Sequence, residues 1–178
     1  MENQFQTIVI NLAGGPGSGK STTAAGVFYE LKKLGYVCEL VTEFAKDKVW
    51  EDSTHILDNQ IYIFGKQYHK MWRLNGKVQF IITDSCLPLS IHYSKLNSEN
   101  FNNLVMECYD HFTNAMFFID RGDGYEKQGR VQTLEESKKI DTAILDIFKK
   151  YNLVYERISQ NNAVTYIVNE IKKYFPIK

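Results

Sequence analysis

Gly14-Gly-Pro-Gly-Ser-Gly-Lys-Ser21 decides how the rest of the chain is read. It fits the pattern G-x-x-x-x-G-K-[ST] and stands between an apolar, β-branched run, Thr7–Ala13 (TIVINLA), and a stretch of helical period, Lys20–Leu34, with Ala24, Phe28 and Leu31 on one side. Strand, glycine-rich turn and helix in that order form a cradle for phosphate. Glycines let successive backbone N–H groups converge on phosphate oxygens, and the helix start adds its partial positive charge. The residues expected to hold a nucleotide are Gly14, Gly15, Gly17, Ser18, Gly19, Lys20, Ser21 and Thr22. Lys20 would bridge the β- and γ-phosphates and Ser21 would ligate Mg²⁺. A plain tight turn would need neither of the last two. An ATP or GTP site follows, which by itself does not choose among kinase, switch and motor.

Outward from the loop, apolar runs alternate with helical stretches, the rhythm of a parallel sheet covered on both faces. Strands are expected at Thr7–Ala13, Tyr36–Thr42, Val78–Thr83, Ala115–Ile119 and Leu153–Ile158. Between and after them the pattern predicts helices over Lys20–Leu34, stopped by Gly35, over Ile56–Arg73, from a Ser98 cap through Phe112, from the capping box Thr133-Leu-Glu-Glu136, and over Asn162–Phe175. The stretch around Pro88 reads as irregular. Asp120–Gln132 has three glycines and six charges with no apolar period, and reads as a surface loop.

The chain has 178 residues, 44% apolar and 24% charged, which fits one globular domain over residues 1–178. Lys and Arg number 21 against 21 Asp and Glu, so the footprint of a sequence-independent nucleic-acid binder is missing. The charge leans only mildly, from −3 over residues 1–120 to +3 over residues 121–178. Cys38, Cys86 and Cys108 make an odd, scattered set that suits neither a disulfide framework nor a zinc site, and a reducing, cytoplasmic setting is expected. No window approaches the roughly 18 apolar residues of a membrane span.

Strand ends supply the remaining candidates. In an open α/β sheet ligands meet the carboxyl ends of the strands, where Asp84 would face the phosphates and hold Mg²⁺ directly or through water. The competing reading is an Asp that caps the next turn. Glu43, ending the second strand, would serve as general base to an acceptor hydroxyl, or else pair with Lys46 or Lys48 in solvent. Trp50 would stack on a base or belong to the core. Gln60, Gln67 and Tyr68 recur on the following helix and would hydrogen-bond an acceptor ring, or lie exposed. In the segment 120–132, Arg121, Lys127 and Arg130 among glycines suit a lid over the transferring phosphate, with no choice between the two arginines. His55, His69, His92 and His111 form no i, i+4 pair for zinc, and Cys86 has no evident activating base.

These residues, in this element order, resemble the P-loop nucleoside and nucleotide kinases: thymidylate kinase, the deoxynucleoside kinases and the nicotinamide riboside kinase-like proteins. The resemblance implies a three-layer α/β P-loop NTPase fold, with a five-stranded parallel sheet, helices on both faces and a short lid. In deoxynucleoside kinases a Glu ending the second strand is followed by a Trp, similar to Glu43 with Trp50. A Gln of the next helix reads the base there, which implies Gln60 or Gln67 here. Where that family has Glu-Arg-Ser after the third strand, this chain has Thr83-Asp84-Ser85, keeping a metal-side carboxylate without the Arg. The run Gly124-Tyr-Glu-Lys-Gln-Gly-Arg130, followed by Ile140-Asp141, is similar to compact kinase-like ATPases of bacteria and their phages.

The function so implied is an ATP-dependent phosphotransferase using ATP and Mg²⁺, with Lys20, Glu43, Asp84, Arg121 and Arg130 as its catalytic set. The acceptor would be a free nucleoside, nucleotide or related small molecule; no membrane partner is expected, and a homodimer is compatible with the pattern. One alternative is a kinase acting on a modified nucleotide within DNA, such as 5-hydroxymethyluracil. Another is a nucleotide-dependent switch or regulatory ATPase, which the absence of a guanine-reading Asn-Lys-x-Asp sequence and of an oligomer-type arginine finger disfavours.

Overall fold

A computed structural model of the chain describes residues 4–122 and 133–176. Five parallel strands, β1 (Ile8–Ala13), β2 (Cys38–Val41), β3 (Phe80–Thr83), β4 (Thr113–Asp120) and β5 (Glu156–Ser159), form one sheet in the order β2-β3-β1-β4-β5. The helices are α1 (Lys20–Lys33), α2 (Phe44–Trp50), α3 (Gln60–Trp72), α4 (Leu89–Tyr93), α5 (Glu99–Asp110), α6 (Leu134–Lys150) and α7 (Ala163–Tyr174). The expected α/β class with helices on both faces is what is observed.

The period-2 pleat of β1 divides the core. Val9 and Ala13 point to one face with residues of α3, α4, α5 and α6, such as Phe64, Leu89, Val105 and Phe148. Ile10 and Leu12 point to the other with α1 and α7, including Val27, Leu31 and Ile167. A strand buried on both faces cannot alternate apolar with polar, hence the continuous run in the sequence. Asn11, fully buried, is tolerated because its amide donates to Val9 O at 3.1 Å and to Asn114 Oδ1 at 2.9 Å.

Local signals in the sequence are realised as local geometry. Gly35, at φ 89°, ends α1: its N–H donates to Lys32 O at 3.0 Å, and the next amide, of Tyr36, donates to Leu31 O at 3.1 Å. These two bonds satisfy carbonyls the helix leaves over. Ser98 caps α5 by accepting from Phe101 N, and both bonds of the Thr133–Glu136 capping box are made at the start of α6.

Several boundaries differ from the sequence reading. The helix expected over Ile56–Arg73 is two pieces, a 3₁₀ turn over Thr54–Asp58 and α3, because the Asn59 side chain accepts from Tyr62 N and starts a new helix. Strand β2 stops at Val41, and Glu43 is the N-cap residue of the short helix α2 rather than a strand end. The stretch after Pro88 is the short helix α4, and β5 begins only at Glu156. Asp120, the first residue of the expected lid, belongs to β4 and pairs with Arg157. Arg121 and Gly122 of that segment are also described, and residues 123–132, with Lys127 and Arg130, lie outside the described residues. Among the described residues no helix is long and apolar enough to cross a membrane.

Candidate functional site

Register brings the site together. Asn11 of β1 is level with Thr83 of β3, which is level with Val41 of β2. The segments leaving these three strands, the glycine loop, Asp84-Ser85 and Glu43, therefore emerge side by side at the carboxyl edge of the sheet. Together with α2, α3 and α4 they enclose a cleft of about 540 Å³. It is lined by Gly14, Gly17, Gly19, Lys20, Ser21 and Thr22 on the loop side, and by Glu43, Trp50, Gln60 and Gln67 across from them, with Asp84 also reaching it. Gly15 and Ser18 are buried behind this surface.

The loop has the conformation its glycines permit. Gly14, Gly17 and Gly19 have φ of 136°, 81° and 89°, a region that favours glycine, and α1 starts at the left-handed Gly19 with no side-chain cap. The first amides of α1 therefore remain available to an anion. Lys20 Nζ folds back over the loop and donates to Gly14 O at 2.7 Å and Gly15 O at 3.0 Å. Burial lowers its pKa, opposed by the charges of Glu43, Asp84 and Asp141.

Asp84, only 4% exposed, joins the two walls of the cleft. One carboxylate oxygen accepts from Ser21 Oγ at 2.5 Å and the other from the Glu43 amide at 3.0 Å. One side chain thus ties the start of α1 to the start of α2. Half-buried Glu43 lies across the cleft from Lys20, and burial raises its pKa, an effect that Lys20 partly offsets.

The two glutamines have different fates. Gln67 is committed to the fold: its Oε1 accepts from Phe44 N at 2.9 Å and its Nε2 donates to Thr83 Oγ1 at 3.4 Å. Gln60, 6% exposed, lines the cleft without a hydrogen-bond partner for its carboxamide among the described residues. Trp50 stands at the rim, 70% exposed, and is no part of the core. Tyr68 packs on Phe64 and Phe112 away from the cleft. The buried Cys86 thiol is pushed up to about 12, which leaves it inert.

Arg121 is placed behind the loop instead of in the cleft. It donates to the Pro16 carbonyl and, at 2.8 Å, to Asp141 Oδ2, while Asp141 also accepts from the Gly15 amide. Asp141, on α6, enters the sequence reading only within the run that resembles compact kinase-like ATPases, with no site role. No local signal marks its contact with the loop; the sequence shows only a carboxylate next to Ile140, which packs on the core.

The donor set fits a nucleotide with its metal. Ser18 Oγ is buried with no partner among the described residues, the glycine cradle leaves no room for side chains, and a Cβ built on Gly14 would stand 2.7 Å from Ser18 Oγ. Among the described residues no group of three or more His, Cys, Asp or Glu could hold a metal alone. Ser21 and Asp84 alone offer too few oxygens for Mg²⁺, an ion that takes one or two protein ligands and completes its shell with phosphate and water.

A family model described as an AAA domain matches residues 9–163. The chain belongs to this AAA domain family. It is 25% identical over 165 residues, 82% of this chain and 84% of the other, to a probable thymidylate kinase of Sulfurisphaera tokodaii. Among solved structures, NadR in complex with NAD and AMP-PNP superposes with a TM-score of 0.68 at 13% identity over 97% of this chain. The match takes in 51% of the NadR chain, so this chain spans about half its length. A thymidylate kinase from Ehrlichia chaffeensis superposes with a TM-score of 0.61 at 14% identity over 93% of this chain and 98% of that one. The AAA domain described here thus has the fold and phosphate loop of the P-loop nucleotide kinases.

Proposed function

We propose that the chain is an ATP-dependent phosphotransferase that moves the γ-phosphate of Mg-ATP to a nucleoside, nucleotide or closely related small acceptor. The observation that carries this reading is the single cleft that holds the glycine loop on one wall and Glu43, Trp50 and Gln60 on the other. A switch needs the first wall only.

The division of labour follows from the contacts. Loop amides and the Lys20 ammonium bind the phosphate chain and balance its charge. Ser21 and Asp84 would hold Mg²⁺, which when bound supplies further neutralisation of the phosphate oxygens. Glu43, its pKa raised by burial, accepts the proton of an acceptor hydroxyl as that oxygen bonds to phosphorus and the bond to the β-phosphate oxygen breaks. With Gln67 engaged in the fold, Gln60 is the amide left to hydrogen-bond an acceptor ring, since its carboxamide opens on the cleft and makes no hydrogen bond among the described residues. Trp50, on the rim, offers a flat face for stacking.

The test is a panel of acceptors with ATP labelled at the γ-phosphate: nucleosides, nucleoside monophosphates and an oligonucleotide carrying 5-hydroxymethyluracil. Label on a free small acceptor is expected, with little loss between about 50 and 200 mM salt, because few phosphates are contacted. Label on the oligonucleotide alone, collapsing over that range, replaces this reading with the DNA-directed one. Rapid release of inorganic phosphate with no acceptor present indicates an ATPase or switch.

A further inference from the structure

A glycine-rich loop has few side chains of its own to fix its shape, so the shape must be imposed from outside. Here the outside is α6. The Gly15 N–H donates to one oxygen of the Asp141 carboxylate, and the other oxygen accepts from Arg121 Nη2 at 2.8 Å. Arg121 in turn donates through Nη1 to the Pro16 carbonyl, closing a ring of contacts around the Gly15–Pro16 peptide. On the far side of Gly15, its carbonyl accepts from Lys20 Nζ at 3.0 Å. The fit leaves no slack: a Cβ built on Gly15 would stand 2.6 Å from Ser137 O and 2.8 Å from Asp141 Oδ1. The Arg121–Asp141 pair is mostly buried, with 9% and 21% of the two side chains exposed, and so escapes most of the screening that weakens surface pairs.

We propose that Asp141 is a positioning residue for the nucleotide: with Arg121 it fixes the Gly15–Pro16 peptide and thereby sets where Lys20 Nζ and the amides from Gly17 to Ser21 meet a triphosphate. This rests on the reading of the loop as a nucleotide site. Asp141 does not line the cleft, so it acts on how the phosphate chain is held and leaves the acceptor wall alone. Its removal raises KM for ATP without changing KM for the acceptor.

The experiment compares the full chain with Asp141→Asn and Asp141→Ala by direct titration with ATP and ADP, by the two KM values, and by hydrogen exchange at the Gly15 amide. Asp141→Asn keeps an oxygen for Gly15 but loses the ion pair, and binds nucleotide about tenfold more weakly; Asp141→Ala loses both contacts and binds about a hundredfold more weakly, in line with charge-assisted hydrogen bonds and small misplacements in a site. Acceptor KM stays as in the unaltered chain. Arg121→Ala added to Asp141→Ala costs little more, because the two act as one unit. Variants that bind nucleotide as tightly as the unaltered chain, or that raise only the acceptor KM, overturn the proposal. Should both variants fail to fold, the Gly15 amide of the unaltered chain decides: slow exchange supports the clamp and free-loop exchange overturns it. An unaltered chain that binds neither nucleotide overturns the nucleotide reading and this proposal with it, whereas equal binding by chain and variants overturns the proposal alone.

Discussion

Replacing Asp84 separates what its carboxylate does for the fold from what it does for chemistry. The side chain is 4% exposed and accepts from Ser21 Oγ and from the Glu43 amide. Hydrogen bonds to a charged acceptor contribute about 1.5–3 kcal/mol each, so Asp84→Ala, which loses both and leaves the Glu43 amide without its partner, should destabilise by about 3–6 kcal/mol. Asp84→Asn keeps the shape and one acceptor oxygen for the Glu43 amide, and should cost about 1–3 kcal/mol. The folded Asn variant nevertheless lacks the charge that would hold Mg²⁺, and phosphoryl transfer should fall about 10²–10³-fold, the usual cost of one preorganised electrostatic partner. Urea unfolding gives the stabilities, and ATP affinity with and without Mg²⁺ gives the metal linkage. The gain in affinity on adding Mg²⁺ should shrink in Asp84→Asn. Equal stability of the Ala and Asn variants would refute the tie between α1 and α2. An Asn variant with full transfer rate and an unchanged Mg²⁺ effect would refute the metal role.

Glu43→Gln should slow transfer to a hydroxyl acceptor about 10²–10⁴-fold while ATP affinity changes little; a phosphate acceptor, needing no base, would show a small effect in the same assay. Because burial raises the folded-state pKa of Glu43, the ionised form is the costly one: the stability associated with its protonated form is complete below the unfolded pKa and is lost as pH rises through the folded one. The melting temperature of Glu43→Gln relative to the unaltered chain should accordingly rise between acidic and neutral pH, and a difference that does not vary with pH would contradict the direction of the shift. Lys20→Ala should remove about 2–4 kcal/mol of transition-state stabilisation with the fold intact, as read from single-turnover rates and circular dichroism. Two helix glycines should respond with opposite signs in denaturant titrations. Gly65→Ala in α3 meets nothing within 4 Å and should stabilise by about 0.5–1 kcal/mol, whereas Gly26→Ala in α1 places a Cβ 2.7 Å from Val164 Cγ2 and should destabilise by about 1–3 kcal/mol.

Features that depend only on neighbours along the chain were legible before any folding was known. The glycine spacing of the loop, the stop at Gly35, the Ser98 cap and the Thr133 capping box are all set by the φ values and hydrogen bonds of a few successive residues, and the burial of a strand on both faces writes itself as an apolar run. The strand-end rule also placed Asp84, just past β3, and Glu43, two residues past the end of β2, toward the loop, since a parallel sheet sends every strand's carboxyl end to one edge. The break at Asn59 shows where such reading stops, because a side chain that caps a new helix outcompetes an unbroken apolar period, and that contest is settled by how α2 and α3 pack. Gln60 and Gln67 both have helical spacing and both are buried; only the amide of Phe44 and the hydroxyl of Thr83, brought in from other elements, assign Gln67 to the fold and separate it from Gln60. Asp141 is the extreme case. It meets Gly15 from 126 positions away, and no local pattern encodes a contact that exists only once α6 has been laid against the loop by the burial of Ile144 and Phe148.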